Sequence, residues 1–517
     1  MTKTSALAAA ADELLDLGRT SSDFSLLKVI LKSGELDEVR ARRCLSYARE
    51  TADIETALAA MKHLAGKLRA ANSMSPAIER ELVSLEGDEL YGLARLDELP
   101  AIAIDPVVPT PGRLLYLLHH SRPYLTNGYA TRGHGVATGL REAGVDLVCL
   151  TRPGFPLDVV KDLPAFIPES DLIDGITYLR QLHPKRSGRG RSQMYFADAA
   201  DQIERRLREI RPQAVMVASN YVAAIPAVMA AHRCGLPIAY EVRGFWEVTQ
   251  LSRDSGLEKT MKFRAQKALE SRVAAACDHV FTLASPMRDE LVRRGVARDK
   301  ISLLPNSCDT AQFCPQPRAD ALAEKWSIPQ GVPVIGYIGS FVQYEGLDDL
   351  TRACARLRRE GHVFRLVLVG GNTNGTVEAE IAEIARESGL GDWLITPGRV
   401  PHEQVDAWYS LIDIAPFPRK PQPVTELVSP LKPLEAMAAG KAVVMSSVRA
   451  MAEMVEGGQT GLVFQKGNAD DLATKLAKLI EDRDIRRSLG QNARRYILAE
   501  RTWRSMGERV KHWMQQL

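Results

Sequence analysis

The stretch Val424-Thr-Glu-Leu-Val-Ser-Pro-Leu-Lys-Pro-Leu-Glu-Ala-Met-Ala-Ala-Gly-Lys-Ala-Val-Val444 decides how the rest of the chain is read. Ser429 followed by Pro430 predicts a helix start, with the serine as N-cap and the proline at the first helical position. Gly440 predicts its end, just before the strand that opens at Ala442. A helix that begins at the carboxyl edge of a sheet points free N–H groups and the positive end of its dipole at whatever binds there. Leu431 and Lys432 fall in the first turn, a combination that suits a diphosphate neutralised without a mandatory metal ion. Glu435 follows on the same face, where a carboxylate can accept hydrogen bonds from both hydroxyls of a ribose. The same pair also reads as a plain intrahelical ion pair on a solvated face. The small apolar run Ala436-Met-Ala-Ala-Gly440 points instead to a buried helix, in which a lone glutamate needs a partner.

Outward from this stretch, short apolar runs alternate with amphipathic segments, the pattern of parallel sheets covered on both faces. One series of strands is expected at Leu114–Leu118, Asp146–Leu150, Ala214–Ala218, Ile238–Val242, His279–Leu283 and Ile301–Leu304. A second follows at Val334–Ile338, Arg365–Val369, Leu394–Pro397, Ile412–Pro416 and Ala442–Met445. Two doubly wound units in tandem leave a cleft between them, with ligands at the carboxyl ends of the strands. The expected division is 1–98 as a helical extension, 99–112 as an extended linker with four prolines, 113–314 as the first unit and 315–495 as the second. Residues 496–517 are expected to form a helix packing back on the first unit, within a segment, Asp484 to Leu517, read as helical throughout.

At 517 residues with 45% hydrophobic and 25% charged residues, the chain is globular and too long for one ordinary core. Its net charge of +3 leaves no nucleic-acid footprint. Arginines 186, 189, 191, 205, 206, 208 and 211 concentrate charge locally, either as a solvated face or as a contact for phosphate or an anionic membrane surface. The seven cysteines are scattered without metal or redox spacing and read as reduced thiols. Pro212 to Ala231 is free of charge, but its polar residues and prolines favour a buried strand, turn and helix over a membrane span. A cytoplasmic protein is expected, with at most peripheral contact at the inner face of the membrane.

The quoted stretch resembles the donor-binding motif of glycosyltransferase family 4, whose members have the α/β GT-B architecture: two Rossmann-like domains facing a cleft. Pro305-Asn-Ser-Cys-Asp309, Ile335-Gly-Tyr-Ile-Gly-Ser340, Leu366-Val-Leu-Val-Gly-Gly371 and Pro397-Gly-Arg-Val-Pro-His402 resemble further family segments, so the likeness covers most of 113–517. It implies a retaining transferase that moves a sugar from a nucleotide-sugar, a UDP- or GDP-sugar, to an acceptor hydroxyl, with no cofactor or metal required. Donor contacts would come from Gly128, Gly339, Ser340, Gly370, Arg399, Val400, Ser429, Pro430, Leu431 and Glu435. Glu426, Lys432 and His134 would carry the chemistry. Tyr129, Glu241, Arg243 and Trp246 stand as acceptor-side candidates, although an Arg–Glu pair supporting a loop fits Glu241 and Arg243 equally. The acceptor would be a glycan, a lipid-linked glycan or a protein, in polysaccharide or glycoconjugate synthesis, and the N-terminal helices would bind a partner or self-associate.

Two departures from the family pattern matter. Eight residues separate Glu426 from Glu435 where the family has seven, so either the intervening loop bulges or the first carboxylate is absent. The arginine and lysine that often grip the diphosphate are here Ser340 and Glu345, so positive charge must come from Lys432, the helix N-terminus, Arg419 or Lys420. A non-catalytic GT-B scaffold or partner subunit is the rival reading. A dinucleotide-dependent oxidoreductase fits less well, because the first Gly loop lacks the G-x-G-x-x-G fingerprint.

Overall fold

The computed structural model describes residues 36–51, 54–76, 98–183, 192–252, 254–372 and 375–517, together with residues 13, 78, 79 and 96. Helices α1 (Glu38–Thr51) and α2 (Ile54–Ala70) bury Ala41, Cys44, Leu45, Ala57, Met61 and Leu64 between them. Leu58 of α2 also reaches the core of the first unit. Most of the remaining helical extension expected over 1–98 lies outside the described residues, as do Arg186, Arg189 and Arg191 of the basic stretch. Arg206 pairs with Glu209, and Arg208 with Glu204 and Asp105.

The first unit is built on an eight-stranded sheet in the order β3-β4-β2-β1-β5-β6-β7-β8. Its strands are β1 (Thr110–Leu118), β2 (Asp146–Thr151), β3 (Ser170–Ile173), β4 (Ile176–Leu179), β5 (Pro212–Ala218), β6 (Ile238–Val242), β7 (His279–Thr282) and β8 (Ile301–Leu303). All neighbours are parallel except β3 and β4. Leu114–Leu118 is fully buried because helices cover both faces, which is why it reads as an unbroken apolar run. The uncharged stretch from Pro212 forms β5 and a buried helix, Tyr221–Arg233.

The proline-rich segment is not a free linker. Leu99–Ala101 forms a 3-10 turn with Leu99 in the core, and the Asp105 and Val107 N–H groups donate to the Arg233 and Cys234 carbonyls. Prolines at 100, 106, 109 and 111 deny helix but leave these N–H groups free to strap the segment down.

The second unit carries a six-stranded parallel sheet, β11-β10-β9-β12-β13-β14. Its strands are β9 (Val334–Ser340), β10 (Arg365–Gly371), β11 (Leu394–Gly398), β12 (Ile414–Phe417), β13 (Ala442–Ser446) and β14 (Leu462–Phe464). Ile412, expected to open β12, caps the preceding helix instead. The core of this unit already includes Cys308 and Phe313, and at the other end Leu489, Ala493 and Ile497, so it outruns the expected 315–495. The helix read as continuous from Asp484 breaks after Glu500, where Thr502 accepts a capping bond from Ser505. Residues Trp503–Met514 form a separate helix that buries Trp503, Met506, Val510, Trp513 and Met514 in the core of the first unit. It lies against α3 (Gly128–Glu142), backbone to backbone: a Cβ on Gly139 would sit 1.9 Å from the Trp503 carbonyl oxygen.

No helix among the described residues is long and apolar enough to cross a membrane.

Candidate functional site

The site lies where the carboxyl ends of β1 and β6 face those of β9, β10 and β12. The chain between β12 and β13 crosses to the first unit on the way. A short helix, α4 (Pro423–Leu427), inserts Val424 and Leu427 into the core of that unit. The helix expected to bind the donor, α5 (Lys432–Ala438), starts later than expected: Leu431 is its N-cap and Pro433 lies in its first turn. Ser429 is not the cap. It is buried, and its carbonyl accepts a 2.7 Å hydrogen bond from Asn306 of the interdomain segment. Pro430 is buried beside it, and Leu431 packs on the first unit.

Lys432 reaches back over the end of β9. Its Nζ donates to the Tyr337 hydroxyl at 2.5 Å and lies 3.5 Å from the Ser340 carbonyl oxygen. A Cβ on Gly339 would meet the Lys432 Cε at 2.2 Å, and one on Gly370 would meet the Gly339 oxygen at 1.8 Å. Both glycines hold positive φ, so these two strand ends leave room for the lysine and for a close backbone approach. Burial lowers the Lys432 ammonium from its ordinary range, opposed by Glu345.

Glu435 is half-buried one turn on. The Tyr409 hydroxyl donates to it at 3.4 Å, and burial raises its carboxyl to about 7, with Lys432 and Tyr409 working against the rise. Beyond Gly339 and Gly370, a recess of about 310 Å³ is lined by Phe341, Gly371, Glu378, Thr396 and Arg399. Val400 packs on the core beside it.

Glu426, expected near the donor, is placed elsewhere. Its Oε1 accepts from Lys466 Nζ at 2.6 Å and its Oε2 from the Arg449 N–H at 2.9 Å, at the start of helix Arg449–Ala452. Two expected sources of charge are likewise engaged. Lys420 pairs with Asp348 at 2.6 Å, and Arg419 with Glu345 at 2.7 Å.

On the opposite wall, Gly128 is the first residue of α3, and Asn127 caps the helix by accepting from the Ala130 N–H. Tyr129 and Val428 approach the same point over Gly244, which brings the start of α3 beside the donor stretch. The Trp246 indole N–H donates to the Tyr129 hydroxyl at 3.1 Å. His119 meets Trp246 edge-on and His120 meets Tyr129 and Phe155, so these rings make one aromatic wall. Burial, and then Arg152, lower the His120 imidazole to about 4, which keeps it neutral. Sequence reasoning missed the two histidines, although their place at the carboxyl end of β1 was a usable signal.

Glu241 cannot touch an acceptor. It is fully buried beneath that wall, where its oxygens accept from Arg132 at 2.8 Å, Arg243 at 2.7 Å and Tyr116 at 2.6 Å. Burial would raise its carboxyl, but Arg243 and Arg132 hold it below the ordinary range. Arg243 is also buried and donates to the Tyr129 carbonyl at 2.8 Å, so the two charges hold up the loop. Arg132 continues the network to the carbonyls of Leu304 and Pro305 and to the Asn306 side chain.

His134 lies further along α3. Its ring sits between the Tyr178 hydroxyl at 2.6 Å and Asp174 at 3.0 Å, and burial lowers its pKa. His134, Ser307 and Glu435 line one recess of about 360 Å³.

Comparison with known proteins agrees with this geometry. Residues 127–307 match the family described as glycosyl transferase 4-like domain, and residues 319–496 the glycosyl transferases group 1 family. The chain belongs to glycosyltransferase family 4, with the GT-B fold. Among similar proteins, a D-inositol 3-phosphate glycosyltransferase of Nocardia farcinica is 28% identical over 43% of this chain and 49% of its own length. A GDP-mannose-dependent phosphatidylinositol monomannoside mannosyltransferase of Mycobacterium tuberculosis is 26% identical over 47% and 63%. The chain thus spans about half to under two thirds of these curated relatives. The structure of Anabaena HepE with UDP superposes with a TM-score of 0.58 at 14% identity, covering 78% of this chain and all of that one.

Proposed function

We propose that the protein is a retaining glycosyltransferase that moves a sugar from a nucleoside diphosphate sugar to an acceptor hydroxyl, in glycan, polysaccharide or glycoconjugate synthesis. The observation that carries this reading is the single short helix that sets Lys432 over the glycine ends of β9 and β10 while Glu435 stands one turn along. Such an arrangement suits a diphosphate at the lysine, a ribose at the glutamate and a base in the recess beside Arg399. The GDP-mannose dependence of the mycobacterial relative and the UDP complex of HepE support a nucleotide donor without choosing the base.

In this mechanism the acceptor hydroxyl attacks the anomeric carbon from the face the diphosphate leaves, and a leaving phosphate oxygen takes its proton. Lys432 stabilises the charge that develops on the diphosphate. The aromatic wall of Trp246, Tyr129 and His120 would offer stacking surface to the acceptor. Val428, packed on the first unit's core, closes the units together there, which limits water at the reacting carbon and so suppresses donor hydrolysis.

The test is calorimetric binding and nucleotide release over UDP-, GDP-, ADP-, TDP- and CMP-sugars, with and without EDTA, for the wild type and Glu435→Ala. Metal-independent binding of one donor, weakened at least about tenfold by Glu435→Ala, is expected from loss of a hydrogen-bonding carboxylate. A wild type that binds none of these donors would move the reading to the non-catalytic scaffold.

A further inference from the structure

The loop after β9 carries a carboxylate where a diphosphate site calls for positive charge. Glu345 is only 3% exposed. Arg419 donates to both of its oxygens, Nε to Oε2 at 3.2 Å and the NH2 group to Oε1 at 2.7 Å, and Lys432 Nζ lies 3.8 Å from Oε1. The NH1 group of the same arginine reaches the Val428 carbonyl at 3.1 Å, at the start of the donor stretch. The two loops are pinned together by their backbones. The Lys420 N–H donates to the Tyr344 carbonyl at 2.9 Å, and Gly346, at φ +73°, leaves no space for a Cβ because the Pro418 oxygen would lie 2.0 Å from it. Three segments, the β9 loop, the β12 loop and α5, therefore converge on one buried carboxylate.

We propose that Glu345 is a positioning residue for donor binding: it anchors Arg419 and Lys432 in register so that both cations grip the diphosphate. The inference rests on the nucleotide-sugar reading above. Coulomb's law alone says that a carboxylate beside a phosphate site weakens binding, so the sign of its effect separates anchoring from repulsion. Arginine has five N–H donors in a fixed plane. With two spent on Glu345 and one on Val428, one N–H remains on each terminal nitrogen, already oriented. Without the anchor that long side chain would have to be ordered when the donor arrives.

Lys432 depends on the same carboxylate for its charge. The groups facing it are Tyr337 and the Ser340 carbonyl from β9, Glu345 from the following loop, Arg419 from the β12 loop and Glu435 from its own helix. Burial and Arg419 favour the neutral amine, while Glu345 and Glu435 favour the ammonium. Removing Glu345 therefore leaves Lys432 to lose its proton at lower pH.

The experiment is titration calorimetry on the full chain with UDP, GDP, uridine and guanosine, for the wild type, Glu345→Gln, Arg419→Lys and the double variant. For whichever diphosphate the wild type binds, Glu345→Gln is expected to raise Kd about tenfold, the scale of one charge-assisted hydrogen bond. The Kd of the matching nucleoside should stay within about twofold, because the base and ribose contacts are untouched. The alkaline loss of diphosphate binding should also move to lower pH in Glu345→Gln. Arg419→Lys keeps the charge but loses the planar fork, so it should weaken the diphosphate alone, and the two substitutions should not add. Diphosphate binding unchanged or tightened in Glu345→Gln overturns the proposal. Should that variant fail to fold, unchanged binding in Arg419→Lys overturns it equally. A wild type that binds neither diphosphate removes the donor reading itself and this inference with it.

Discussion

Glu435 is a weaker acid than an exposed glutamate. Burial raises its carboxyl from an ordinary 4.5 to about 7, so near neutral pH both forms are populated. Because the folded chain binds this proton more tightly than the unfolded one, its contribution favours folding at low pH and is lost as pH rises from about 4.5 through about 7. Ribose hydroxyls prefer the ionised carboxylate, so donor affinity should rise as pH passes upward through about 7 and then level off. Glu435→Gln should bind more weakly and lack that rise, and calorimetry between about pH 5.5 and 8.5 checks both. That Lys432 and Glu435 share one helix was legible in sequence, because they lie three residues apart in a run of helix formers. The direction of Glu426 was not, because spacing does not say which partners a carboxylate on the short helix α4 will meet, and only Lys466 and Arg449 reveal that. The Ser429 cap failed for a related reason. Two prolines, Pro430 and Pro433, compete to start the helix, and the second one wins.

Among the elements, the central strands were easy to read because burial on both faces writes them as unbroken apolar runs. The β3–β4 hairpin was missed. Its strands are four residues long with partly polar faces, yet the turn between them is Asp174-Gly175, both at positive φ, the dipeptide that two-residue hairpins favour. The return of the C-terminal helix to the first unit was expected, but its close glycine contact with α3 was not legible, because such a glycine looks the same as any other until the partner is known. At Gly139 the obstacle is the Trp503 carbonyl, which no rotamer change can move. Gly139→Ala should therefore cost at least about 2 kcal/mol, within or above the usual range for overpacking, as read by chemical denaturation. The same substitution at Gly128, which has open space around it, should change stability little.

Across the whole molecule, the first unit's cores are completed twice by later parts of the chain. The second unit lends Val424 and Leu427 to the first, and the chain returns after Glu500 to close the first unit's core with Trp503, Met506, Val510, Trp513 and Met514. Deleting residues 501–517 should therefore damage the distant half of the chain and not the adjacent one. In scanning calorimetry the first unit should melt separately and earlier, while the transition of the second keeps its upward shift with added nucleotide. A single transition, lowered as a whole, would show that the units are too tightly coupled for this to hold. The returning helix also sets an order of events during synthesis. The first unit's last strand leaves the ribosome about 200 residues before the helix that completes it, a delay of roughly 10–40 s at ordinary elongation rates. For that interval the part of this core that Trp503 and Trp513 cover, along Gly135 and Gly139 of α3 and at Phe281, lies open, so the nascent chain should need a chaperone's shelter until its final turns emerge.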